Sequence, residues 1–97
     1  MEKLKVKTYS PTTSMKEIQL SQACGRVLVK NFGSFSIWVG VTADSTTTDG
    51  MIQIAKETAQ IVSAAASGSG RRQGIDRLYL IGAAAETNTV EIQELGW

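Results

Sequence analysis

The chain has 97 residues, one domain's worth, and a domain of that size buries roughly 60–65% of the surface its unfolded form exposes. Hydrophobic residues make up 42% and charged residues 20%, a globular balance that excludes a disordered tail. Ten basic against nine acidic residues leave a net charge of +1, without the basic excess on which a duplex-binding surface depends, so no nucleic-acid partner is expected.

The first predicted strand is Leu4–Tyr9, where Leu4, Val6 and Thr8 share one face and lysines occupy the other. SPTTS interrupts the pattern at Pro11. Residues 1–14 are therefore read as an N-terminal arm or edge strand, and residues 15–97 as a single domain. Met15–Leu20 is a weaker strand in which Ile18 and Leu20 alternate with Glu17 and Gln19. Gly25–Val41 is the clearest unit: Arg26–Lys30 and Phe35–Val41 are strong strands, and NFGS between them predicts a β-hairpin. TADSTTTDG follows as a polar loop that closes on the Asp49-Gly50 turn signal.

Met51–Ala66 admits two readings. Met51, Ile54, Thr58, Ile61 and Ala65 would line one face of a helix, and its Ala, Lys, Glu and Gln favour one. Ile52/Ile54 and Ala59/Ile61 equally suit two short strands around a turn at Ala55–Glu57. The β character of the neighbouring segments favours the strands.

SGSGRRQG reads as a flexible basic loop whose Arg71 and Arg72 are candidates for docking an acidic protein surface. In Asp76–Ala83 both faces are apolar, Leu78 and Leu80 on one and Tyr79 and Ile81 on the other. A strand of that kind is covered on both sides, by the opposite sheet and by another chain. Thr89–Leu95 ends the series, with Val90 and Ile92 alternating with Glu91 and Gln93. Seven or eight short strands predict an all-β fold, a small antiparallel β-sandwich of jelly-roll type.

The chemistry-bearing residues are sparse. There is no histidine, which removes the commonest general base, the usual nucleophile pairs and the usual transition-metal ligand. Cys24 is single and reads as a small buried apolar residue, with no disulfide and no zinc site open to it. Glu91 and Glu94 read as solvated edge charges. Asp44 and Asp49 bracket a loop without the ligand alternation or terminal Glu of a calcium site, and GSGRRQG lacks the spacing of a phosphate-binding loop. No apolar run approaches a membrane helix, and MEKLKVKTYS has no signal-peptide apolar region, so a soluble protein is expected. The expectation is a non-enzymatic protein with no catalytic, cofactor or metal residues. Trp38, Tyr79 and Trp97 join Arg71 and Arg72 as candidate interface residues: Trp38 for core or subunit interface, Trp97 as an anchor in a neighbour or in its own domain.

GRVLVKNFGSFSIWVGVTADSTTTDGMIQIAKETAQIV followed by DRLYLIGAAAETNTVEIQEL resembles a family of small tailed-bacteriophage structural proteins. The resemblance rests on Asn31, Gly33, Ile37, Val39, Gly40, Gly50, Ile52, Ile54, Leu78, Tyr79, Ile81, Val90, Ile92 and Glu94, and covers about residues 25–95. The chain departs from the family by the ASGSGRRQG insertion, and by Lys56-Glu57 where a Gly-containing turn is usual. The resemblance implies a β-sandwich virion component of head-decoration, head-fibre, collar or tail-adaptor type, without catalytic residues. It would be assembled in the host cytoplasm as a homo-oligomer, a trimer by preference, bound to other virion proteins. A carbohydrate- or receptor-binding module of a fibre or spike is the alternative. That role calls for Trp38, Tyr79 or Trp97 together on a concave exposed face.

Overall fold

A computed structural model describes residues 5–64 and 74–96. They form eight strands: β1 (Val6–Tyr9), β2 (Lys16–Cys24), β3 (Arg26–Asn31), β4 (Ile37–Gly40), β5 (Ile52–Ile54), β6 (Thr58–Ser63), β7 (Ile75–Gly82) and β8 (Val90–Gly96). No helix occurs among the described residues, and the ambiguous stretch after Met51 is the strand pair β5 and β6. Arg71, Arg72 and Trp97 lie outside the described residues.

The strands make two four-stranded antiparallel sheets, β1-β8-β3-β6 (sheet A) and β2-β7-β4-β5 (sheet B). Strands β1 to β4 pair in turn with β8 to β5, as though one long hairpin had been rolled up, and the β3–β8 and β4–β7 pairings knit each sheet together. Period-two alternation then decides the interior. Val27, Val29, Val90 and Ile92 of sheet A meet Ile18, Leu20, Ile37, Val39, Ile54, Leu78 and Leu80 of sheet B in one buried cluster, which Cys24 and Ile75 join. The result is a small sandwich-like β fold.

One expectation is corrected. Arg26–Lys30 and Phe35–Val41 do not form a hairpin, because β3 belongs to sheet A and β4 to sheet B. The cause is Asn31, whose side chain is 1% exposed at the end of β3. Its Nδ2 lies within hydrogen-bond distance of the carbonyls of Phe35 (2.9 Å), Ile54 (3.1 Å) and Ala55 (3.3 Å), and its Oδ1 accepts from Gly33 N (3.0 Å). The NFGS segment is thus a corner between sheets. Glu86 holds its outer side by accepting from Ser34 N with both carboxylate oxygens (3.2 and 2.9 Å), at a place where a side chain on Gly33 would collide with it.

A second corner lies at Pro11, which is buried. Glu86 N donates to Pro11 O (3.1 Å) and Gly82 N to Thr12 O (2.7 Å), so the chain after β1 is fastened to the body as it passes from sheet A to sheet B. The turn between β5 and β6 carries Glu57 at φ 60°, a left-handed conformation better suited to glycine, at the site where the resemblance calls for a Gly-containing turn.

Asn31→Ala leaves buried carbonyls and one N–H without their partner, and is expected to lower the unfolding free energy in urea by about 3 kcal/mol. Asn31→Asp should cost more at neutral pH, because a carboxylate would face three carbonyl oxygens. Part of the loss should return in acid, where a protonated carboxyl can donate. Equal stability of the Ala variant and the wild type would refute the corner's dependence on this amide.

Candidate functional site

The outer face of sheet B is built from the strand positions that alternate with the core. On β4, Ile37 and Val39 point inward, so Trp38 points outward. On β7, Leu78 and Leu80 point inward, so Tyr79 and Ile81 point outward. The register sets these side chains beside one another. Trp38 stands opposite Ile81 on one flank and Gln53 on the other, while Tyr79 stands opposite Glu17 and Gly40. Met15, one residue beyond the Lys16–Leu80 pair, extends the Trp38–Ile81 row and is 40% exposed. The structure therefore brings together two of the sequence-derived candidates, Trp38 and Tyr79, on one sheet face, and Trp38 belongs to that face rather than to the core.

Two features bound the patch. Glu17 accepts from Arg77 Nη1 at 3.0 Å, an exposed ion pair worth at most about 1 kcal/mol but a clear polar border. On the other side the Asp44–Asp49 loop folds back over Gly40, where Ser45 and Met51 occupy the space a side chain would need. Thr42 and Ser45 hydroxyls lie 2.7 Å apart, and Thr46 and Asp49 exchange backbone hydrogen bonds of 2.7 and 3.0 Å. Gly50 closes the turn at φ 84°. The loop is a turn satisfied by its own Ser, Thr and backbone groups. Among the described residues no three His, Cys, Asp or Glu side chains gather as a metal-binding group would require.

A second polar cluster was not foreseen. Glu94, read from the sequence as a solvated edge charge, lies half-buried on β8, which is an inner strand flanked by β1 and β3. Its Oε1 accepts from Ser21 Oγ (2.7 Å) and its Oε2 from Ser21 N (3.1 Å), with Cys24 Sγ at 3.5 Å. These contacts tie β8 to the irregular stretch of β2 between Gln19 and Cys24, and so staple sheet A to sheet B. Lys5, Val6 and Lys7 border the adjoining cleft of about 240 Å³. No sequence signal announces the pair, since Ser21 and Glu94 are 73 positions apart.

The electrostatics fit a structural role. Burial pushes the Cys24 thiol up, and the neighbouring Glu94 carboxylate pushes the same way, which suits an inert buried thiol rather than a nucleophile. Burial also acts to raise the Glu94 carboxyl, but the hydrogen bonds from Ser21 and Cys24 and the Lys5 charge outweigh it and hold the group below its ordinary value. Comparison of the chain with protein-family models, curated proteins and solved structures finds no match.

A carboxyl whose folded pKa is depressed contributes stability above its unfolded pKa and loses it as pH falls through the folded value. The unfolding free energy is therefore expected to decline as pH drops below the ordinary Glu value of 4.5. Ser21→Ala should raise the Glu94 pKa and shrink that acid-dependent loss, as read by NMR titration of the Glu94 carboxyl and by urea unfolding across pH. An unchanged Glu94 titration in the variant would refute the staple.

Proposed function

We propose that this chain is a non-enzymatic structural subunit of a tailed-bacteriophage particle, a decoration or adaptor protein that binds copies of itself and other capsid, neck or tail subunits. The observation that carries the reading is the outer face of sheet B. Trp38, Tyr79 and Ile81 lie together on its two inner strands with no element of the described chain over them. Aromatic residues at the centre of a patch, bordered by an ion pair and a polar loop, match the composition of protein–protein contact cores.

The strand orders β1-β8-β3-β6 and β2-β7-β4-β5 support a jelly-roll winding of two Greek keys, an architecture used by viral capsid proteins. Fold alone does not specify function, and lectin domains use the same winding. The resemblance over residues 25–95 adds the virion context. The segment Asn31–Gly33, which carries part of that resemblance, has a structural task at the sheet corner and needs no catalytic one.

The carbohydrate- or receptor-binding reading retains one favourable observation, the shared face of Trp38 and Tyr79. The two roles separate in the assembled particle. A structural subunit buries these rings against a neighbour, whereas a glycan-binding module leaves them open.

Trp38→Glu places a charge at the centre of the patch. It is expected to weaken attachment to the particle by about tenfold or more, or about 1.4 kcal/mol, while the circular dichroism spectrum stays β-type. Attachment at wild-type strength would reject this face as the contact. Quenching of Trp38 fluorescence by added glycans, with attachment unaffected, would favour the second reading.

A further inference from the structure

Among the described residues the two sheets have four edge strands, and three of them are protected against pairing with other chains. β1 carries Lys7 beside the preceding Lys5 and ends near Pro11; β2 carries Lys16 and Glu17 and is broken by its irregular stretch; β5 has only three residues. Lysines, irregular stretches and brevity are the devices by which edge strands are kept from pairing. β6 has none of them. Its sequence TAQIVS contains no charge, proline or glycine, and its six residues pair with β3 in unbroken register. Ile61 at its middle is 48% exposed.

The direction of its backbone groups follows from the neighbouring ladder. Phe32 N donates to Thr89 O at 2.8 Å, so by the β3–β8 register Phe32, Lys30 and Leu28 turn their backbone groups toward β8. Asn31, Val29 and Val27 turn theirs toward Thr58, Gln60 and Val62, and Ala64 N, which donates to Gly25 O at 2.7 Å, continues that series. Thr58, Gln60 and Val62 accordingly turn their N–H and C=O toward β3. Ala59, Ile61 and Ser63 then turn theirs outward, away from sheet A.

We propose that β6 pairs antiparallel with β6 of a second copy of this chain, about a two-fold axis through Ile61, joining two A sheets into one continuous sheet. The outward groups are spaced symmetrically about Ile61. Self-pairing therefore sets Ala59 opposite Ser63 of the second copy, Ile61 opposite its own counterpart, and Ser63 opposite Ala59 of the second copy. All three are hydrogen-bonded pairs. The residues opposite one another also share a face. The row Val6–Gln93–Leu28–Ile61 on the outer face of sheet A would run on into Ile61 and Leu28 of the second copy. An uncharged edge meets its own copy without repulsion, whereas β1 against β1 would oppose lysines. The occupant is thus a second copy of this chain, and the unit it builds is a dimer, where the resemblance implies a trimer. The inference is independent of the virion assignment and of the Trp38 face.

Sedimentation of the full chain across the micromolar to millimolar range, with amide hydrogen exchange at both ends of the range, tests it. The wild type is expected to form a reversible dimer. As it forms, the amides of Ala59, Ile61 and Ser63 should become protected, while those of Gln60 and Val62 are protected throughout by β3. Ala59→Pro removes an outward N–H without touching the β3 ladder, and Ile61→Lys sets two like charges opposite each other. Each should weaken dimerisation by about tenfold or more. Should Ala59→Pro fail to fold, Ile61→Lys and the wild-type exchange pattern carry the test. A monomer at every concentration, a dimer in which the three amides stay unprotected, or a dimer unaffected by Ile61→Lys would each overturn the proposal. So would protection of these amides only on binding a different protein.

Discussion

The arrangement of the sheets depends on how one side-chain amide is satisfied. Asn31 is buried at the end of β3, where an unpaired amide would be costly, and its partners come from three segments: the corner at Gly33 and Phe35, the last residue of β5, and the turn that follows it. Those partners are available only if the chain leaves sheet A after Asn31 and enters sheet B at Ile37. An apolar core of Val, Ile and Leu accepts many registers at similar energy, because hydrophobic contact has no direction. A buried amide with four directed contacts accepts one. At the other end of β8, Glu94 plays the corresponding part by engaging Ser21 across the sheets. The apolar layer between them supplies the bulk of the burial, and the two polar staples select among the ways of stacking it.

This has a consequence for the pairing scheme. β4 and β5 are the one pair of sequence-consecutive strands that share a ladder among the described residues; every other ladder joins strands distant in sequence. Local turns therefore do little to fix the fold, and corners do much. Pro11, the NFGS segment and the β5–β6 turn each carry the chain from one sheet to the other. Rolling the chain this way gives both inner pairs, β8–β3 and β7–β4, outer faces with strands on either flank. It is on β7–β4 that Trp38, Tyr79 and Ile81 meet.

The strands were legible in the sequence because alternation is a local property, and each of the eight has a counterpart in the predicted series or its stated alternatives. The partners were not legible. Arg26–Lys30, NFGS and Phe35–Val41 read as a hairpin because an inward-outward alternation looks the same whether the next strand lies beside it or across the core. What breaks the tie is the reach of Asn31 to carbonyls 23 and 24 positions away. The helix-favouring Ala, Lys, Glu and Gln of the stretch after Met51 occupy the β5–β6 turn and an edge strand, where tertiary pairing overrides propensity. The same limit applies to the site. Trp38 and Tyr79 could each be placed on a strand, but their common face comes from the β4–β7 register. Glu94 falls in phase with Val90 and Ile92 while Glu91 does not, but that its carboxylate is met there by Ser21, 73 positions away, was not legible.

The boundaries of the sheet B patch give it a direction. At one end Ser45 and Met51 cover Gly40, so the face beside Tyr79 is closed by the chain's own loop. Along β2, the Glu17–Arg77 pair marks the polar limit. At the other end the row through Trp38 and Ile81 continues to Met15, which lies just before β2 and is exposed. The apolar surface therefore opens toward the Pro11 corner, the corner through which β1 is joined to β2. A partner seated on Trp38 and Ile81 would also touch Met15 and approach that corner. Glu86 N holds Pro11 there and the Glu86 carboxylate holds Ser34. The corners at Pro11 and Asn31, which carry the chain between the sheets at the border of this outer face, are thus tied through one residue, Glu86.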